Sequence, residues 1–94
     1  MADPLTLRVL TAEGVALEDH AASVIAPGEL GYLGILRNHA PLVTTLQPGT
    51  LTWRAGGASH SRRIGAGLLE VRRNTVTILT DRIVVEGGSP GGRG

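Results

Sequence analysis

The sequence predicts an all-β fold, a sandwich or barrel of about ten short strands, and three observations carry that expectation. Apolar and polar residues alternate in short runs, separated by turn residues at intervals of about eight to twelve positions. Fourteen glycines supply the many turns that such a chain requires. No apolar stripe at helical spacing persists over the three turns that a packed helix needs. Helix is limited to at most one turn, at His20-Ala21-Ala22.

Leu5-Thr6-Leu7-Arg8-Val9 opens the pattern, with Leu5, Leu7 and Val9 on one face of a first strand. Glu13-Gly14 interrupts it, Val15 to Glu18 forms a short return strand, and Ala21-Ser23-Ile25 alternates again as a third. Pro27-Gly28 reads as the turn that ends it, because proline fixes φ and lacks a donor while glycine permits positive φ. Leu30 to Leu36 carries Gly31 and Gly34, a pattern suited to a bent edge strand or bulge. Leu42 to Leu46 is a short strand, and Gln47-Pro48-Gly49 is a turn into Thr50 to Arg54, where Leu51 and Trp53 share a face. Gly56-Gly57 is a loop from which Ser59 to Ile64 returns as a hairpin partner. Leu68 to Val71, a turn at Arg73-Asn74 and the alternating run Thr75 to Thr80 follow, then a last strand at Ile83-Val84-Val85. The Gly-rich ending has little to bury, so a domain is expected over residues 1–86 and a flexible tail over 87–94.

Composition narrows the function. A length of 94 residues suits one domain with a modest core. The net charge of +1 lacks the strong basic bias of a nucleic-acid or membrane binder. There is no Cys, so disulfides, thiolate chemistry and Cys-based zinc sites are excluded. The N-terminus has no basic segment followed by an apolar one, and no run approaches the ~18 apolar residues of a membrane span. The expectation is a cytoplasmic protein that meets a membrane only through a partner.

Motifs for chemistry are sparse. His20, His39 and His60 are the only histidines, and none has a paired-ligand spacing, so a metal site requires all three to converge in space. The four serines include no nucleophile elbow, and Ser59-His60-Ser61 alternates faces on a strand. Without lysine there is no phosphate-binding loop of the Gly-x-x-x-x-Gly-Lys type. Arg62-Arg63 and Arg72-Arg73 suit phosphate contacts, but the only aromatics to stack bases are Tyr32 and Trp53, and Trp53 shares a face with Leu51. The dense segment from Gly31 to Pro41 has two readings, a bulged edge strand ending in a turn or a docking loop.

Gly31-Tyr32-Leu33-Gly34-Ile35-Leu36-Arg37-Asn38-His39-Ala40-Pro41-Leu42, followed by Gln47-Pro48-Gly49, resembles the signature region of the epsilon subunit of bacterial F-type ATP synthase. Gly65-Ala66-Gly67-Leu68-Leu69-Glu70-Val71, then Asn74 to Asp81, resembles its second signature, and the likeness runs from about Leu5 to Val85. The resemblance implies a flattened sandwich of two five-stranded sheets, with no catalytic site and no cofactor. It implies a place at the foot of the central stalk, on the cytoplasmic face of the bacterial inner membrane, bound to the gamma subunit and touching the polar loops of the c-ring. By motif, Tyr32, Leu33 and Arg37 are expected at the c-ring, and Thr11, His39, Thr44 and Gly65 at the gamma subunit. Relatives often carry an acidic residue where Tyr32 stands, so an amphipathic aromatic contact replaces an electrostatic one. Where many relatives have Pro-Gly, this chain has Arg37-Asn38, and Asn still tolerates a left-handed turn. The resemblance also implies two further C-terminal helices that restrain ATP hydrolysis, whereas Pro90 and its glycines read as a terminus or linker.

Two rivals have discriminating features. A clustered arginine face with an exposed Trp53 would favour a nucleic-acid module, and a Trp53 buried between sheets would count against it. Convergence of His20, His39 and His60 would favour a small hydrolase.

Overall fold

The computed structural model describes residues 3–84. They form β1 (Leu5–Thr11), β2 (Gly14–Ala21), β3 (Ser23–Gly28), β4 (Gly31–Leu36), β5 (Leu42–Leu46), β6 (Gly49–Ala55), β7 (Ala58–Ile64), β8 (Gly67–Arg72), β9 (Thr75–Thr80) and β10 (Ile83–Val84). Two five-stranded groups stand in the order β10-β7-β6-β3-β4 and β5-β8-β9-β1-β2, and the ladder passes between them through the single pair Gly28 and Leu46. The sandwich is therefore one continuous sheet folded on itself, five strands to a side. The tail expected over 87–94 lies outside the described residues, as does Val85 of the expected last strand.

Alternation explains the core. Leu5, Leu7 and Val9 on β1 lie beside Val76 and Ile78 on β9, with Leu69 and Val71 on β8, and all are buried. Val24, Ala26, Ile35, Leu51 and Trp53 face them from the other side. Each of the larger side chains contributes about 1.5–3 kcal/mol relative to an exposed position, so these two inner faces hold the fold together. The pairing of β1 with β9 is parallel, whereas the other strand pairs are antiparallel.

Two turns follow their residues closely. Gly56-Gly57 has φ of 60° and 79°, and Arg73-Asn74 has φ of 51° and 62°. Both are left-handed at two successive positions, which matches the twist of a two-residue hairpin. Two other expectations are corrected. His20 and Ala21 end β2 as strand, opposite Thr6 and Leu5, because Ala21 buries its side chain in the core. Pro27-Gly28 is not a turn: β3 runs through Gly28, pairs with β4 throughout, and turns at Glu29-Leu30. The carbonyl of Pro27 accepts the Gln47 N–H at 2.8 Å, so its nitrogen faces the same side, away from β4. On that side β3 has already parted from β6, whose pairing stops at Ile25 opposite Thr52, and no ladder bond needs the missing donor.

Along the side where β2 lies against β6, one cluster ties the layers together. The Trp53 indole N–H donates to Asp19 Oδ2 at 2.9 Å, and its ring stacks on His60 with centroids 5.5 Å apart. The Arg62 guanidinium lies 5.6 Å from the ring centroid. The Trp53 hydrogen bond is the main reason that Asp19 titrates below its ordinary value; burial opposes it, while the His20 amide and the His60 and His20 side chains reinforce it. A carboxylate depressed in the folded state stabilises above its unfolded pKa, and the effect is lost as pH falls through the folded value. The stability advantage of the wild type over Asp19→Asn is therefore expected to shrink as pH falls from about 4 to about 2. Urea denaturation across that range checks it, and an advantage that does not change with pH would refute the linkage.

Candidate docking surface

The β3–β4 turn is built to hold one shape. Glu29 N–H donates to Thr45 O at 3.1 Å, and the Thr45 hydroxyl donates to the Glu29 carboxylate. The Gln47 side-chain amide donates to the carbonyls of Gly28 at 3.3 Å and Glu29 at 2.7 Å. Gly31, at φ 127°, closes the turn in a conformation that a side chain would strain. Leu30 stands at the apex, fully exposed.

Tyr32 follows the turn, opposite Pro27 in the ladder. Its phenol oxygen accepts the Thr50 N–H at 3.0 Å, across the gap where β3 and β6 separate. Leu33 points inward and packs on the core. Arg37 is exposed in the next turn, at the far end of β4, roughly 16 Å along the strand from Tyr32.

Asn38 takes φ 65°, the left-handed conformation expected of it. Its N–H donates to Asn74 Oδ1 at 2.7 Å, and the Asn74 amide returns a bond to Asn38 Oδ1 at 3.4 Å. The β4–β5 loop is thereby clasped to the β8–β9 turn. His39 donates its N–H to Leu36 O at 3.1 Å, and its Nδ1 sits 2.7 Å from Ala40 O, so its ring braces its own loop.

Four of the seven expected contact residues come together. Tyr32, Leu33, His39 and Thr44 line one shallow depression of about 320 Å³ with Leu30 and Leu42. Arg37 is not part of it. Thr11 and Gly65 sit elsewhere, in two hollows that both border Asp81 and Arg82. Gly65 is buried and donates its N–H to Arg82 O at 3.0 Å; an added Cβ would overlap the Asp81 carboxylate. It makes room for Asp81, with no side chain of its own to present. Sequence reasoning missed Leu30 and Gln47. The available signal was an apolar residue between Gly28 and Gly31, four residues where a turn wants polar side chains.

The rivals fare poorly in this geometry. Trp53 is 2 % exposed, which removes it as a platform for stacked bases. Arg62 turns inward over Trp53 while Arg63 is exposed, so that pair does not act as one patch. His60 faces Trp53 and lies 3.3 Å by Nε2 from Ala55 O, while Ser61 pairs with Thr52. Among the described residues no three His, Asp or Glu side chains are grouped to hold a metal ion, and no helix is long and apolar enough to cross a membrane.

Comparison with known proteins agrees with the fold. The family model described as ATP synthase, Delta/Epsilon chain, beta-sandwich domain matches residues 4–86. The chain belongs to this family. Among curated family relatives, the ATP synthase epsilon chain of Moorella thermoacetica is 47% identical over 78 residues, covering 82% of this chain and 58% of the relative. The epsilon chain of Acidithiobacillus ferridurans is 43% identical over 81 residues, covering 86% of this chain and 57% of the relative. The chain thus spans less than two thirds of the length of both. The fold is also found in a chain of the Euglena gracilis mitochondrial ATP synthase (OSCP/F1/c-ring), with a TM-score of 0.81 at 24% identity over 89% of this chain and 54% of that one. A chain of the Tetrahymena thermophila mitochondrial ATP synthase central stalk and c-ring has a TM-score of 0.72 at 18% identity, covering 88% of this chain and 67% of that one.

Proposed function

We propose that this domain is a non-catalytic part of an ATP synthase central stalk, which binds the gamma subunit and meets the polar loops of the c-ring so that rotation is coupled to ATP synthesis. The observation that carries the reading is the 47% identity to an ATP synthase epsilon chain, which runs through the sandwich. The depression lined by Tyr32, Leu33, His39 and Thr44 supports a docking role, since these motif residues share one accessible surface. In this reading Tyr32, Leu33 and Arg37 lie toward the c-ring and Thr11, His39, Thr44 and Gly65 toward gamma. The domain acts by transmission and assembly, reaching the cytoplasmic face of the bacterial inner membrane only as part of the complex.

The test is size-exclusion chromatography of this chain with the gamma subunit encoded in the same genome. A stable one-to-one complex is the expected result, and a Tyr32→Ala/His39→Ala variant should bind about tenfold more weakly, the loss of one modest anchor. Absence of a complex at micromolar concentration would overturn the reading for this domain.

A further inference from the structure

We propose that the free edge of β4 pairs antiparallel with the same edge of a second copy of this chain, so that the domain on its own forms a weak two-fold dimer. This pairing does not depend on the stalk reading and is tested without any other subunit.

β4 is bonded to β3 along one side only. The Pro27 carbonyl accepts the Gln47 N–H on the far side of β3, so Pro27 and the Tyr32 opposite it form a non-hydrogen-bonded pair. The N–H and C=O of Tyr32 therefore point away from β3, and by alternation so do those of Gly34 and Leu36. The Leu36 carbonyl is taken by the His39 N–H at 3.1 Å, whereas the outward groups of Tyr32 and Gly34 have no partner among the described residues. Backbone groups left open in this way are completed by another strand.

Natural edges are guarded by charge, by proline or by a bulge. β2 carries Glu18, Asp19 and His20, and on β5 the Glu29 N–H already closes off the Thr45 carbonyl. β4, Gly31-Tyr32-Leu33-Gly34-Ile35-Leu36, has no charge and no proline, and it pairs with β3 without a register shift. Its outer face is clear beside the edge. Tyr32 leans back across β3 to take the Thr50 N–H on its phenol oxygen, and a Cβ on Gly34 would meet nothing within 4 Å.

The occupied Leu36 carbonyl selects the register. With Leu33 on the two-fold axis, Tyr32 of each copy stands opposite Gly34 of the other, and these two pairs exchange four backbone hydrogen bonds using only the open groups. Antiparallel pairing also sets the Arg37 end of each strand beside the Glu29 turn of the other copy, so opposite charges meet at both ends and like charges meet nowhere along the strand. The edge is thus complementary to itself in hydrogen bonding and in charge, which favours a second copy over an unrelated strand. One pair of six-residue strands buries less than the about 1,200 Å² of a stable interface, so the dimer is weak, with a Kd of roughly 10–100 μM.

The experiment is sedimentation equilibrium of the chain from about 5 μM to about 500 μM, with amide hydrogen exchange measured at both ends of that range. The wild type is expected to dimerise, and exchange at the Tyr32 and Gly34 amides is expected to slow at the higher concentration. Gly34→Lys, which guards the edge with a charge, should weaken association at least about tenfold, while Gly34→Ala should stay within about twofold of the wild type. Circular dichroism establishes that both variants are folded, and if Gly34→Lys is not, the exchange measurement on the wild type decides alone. A wild type that stays monomeric at about 500 μM would overturn the proposal. So would a folded Gly34→Lys that associates like the wild type, or concentration-dependent protection that falls on another strand in place of Tyr32 and Gly34.

Discussion

Trp53→Ala is expected to cost about 3–5 kcal/mol, the usual range for truncating a buried aromatic, and to lower the melting temperature by roughly 12 °C or more. Domains of this size have about 5–15 kcal/mol in total, so a large part of the margin is at stake. The cost has several parts. The cavity left behind lies among Leu51 and its core neighbours, His60 and Arg62 lose the ring they cover, and Asp19 loses its indole donor. Because Trp53 is the only tryptophan, the measurement is thermal unfolding followed by far-UV circular dichroism. Trp53→Phe keeps an aromatic ring in the core while removing the N–H and part of the buried volume, so it should fall between the two. A melting temperature for Trp53→Ala within about 4 °C of the wild type would mean that the layers are not joined through this residue.

Gly67→Ala should be nearly as damaging, for the opposite reason. A Cβ on Gly67 would stand 1.9 Å from the Leu79 carbonyl oxygen and 2.9 Å from the Thr80 Cα, and these are backbone atoms of the neighbouring strand. No rotamer change relieves that overlap, so β8 and β9 must move apart where Gly67 pairs with Thr80. Overpacking of this kind costs typically about 1–3 kcal/mol, and the backbone clash puts Gly67 at the top of that range. The control is Gly34→Ala, where a Cβ would meet nothing within 4 Å. It is expected to stay within about 0.5 kcal/mol of the wild type. Equal stabilities for the two alanine variants in urea denaturation would show that β8 and β9 are not packed this closely.

Period-two alternation made most strands legible, because a half-buried strand places its apolar residues on one face. Leu5, Leu7 and Val9, or Leu51 and Trp53, need nothing more. The turns at Gly56-Gly57 and Arg73-Asn74 were legible for the same local reason, since few residues accept positive φ twice in succession. Pro27 misled because its missing donor matters only on the side where a neighbour strand requires it, and β6 has left by that point. Local sequence also carries no sign that Asn38 and Asn74 meet, because their hydrogen bonds join segments far apart in the chain. At the docking surface, the motif residues Tyr32, Leu33, His39 and Thr44 converge, while Thr11 and Gly65 face other hollows and Arg37 lies beyond the far end of β4. The role of Gln47 was hidden, as its side chain acts on carbonyls that only the folded hairpin presents.

The parallel pairing of β1 with β9 has a consequence for biogenesis. In its half of the sandwich, β1 lies between β2 and β9, and β9 is synthesised much later than either. A nascent chain can close the β1–β2 hairpin early, yet Leu5, Leu7 and Val9 cannot be covered on the β9 side until residues 75–80 have emerged from the ribosome. Closing that contact requires one large loop before any reward from burial, which makes folding slow relative to a protein of local contacts. Until then, a strand of the core waits with an unpaired edge, in the interval when chaperones or neighbouring nascent chains have access to it.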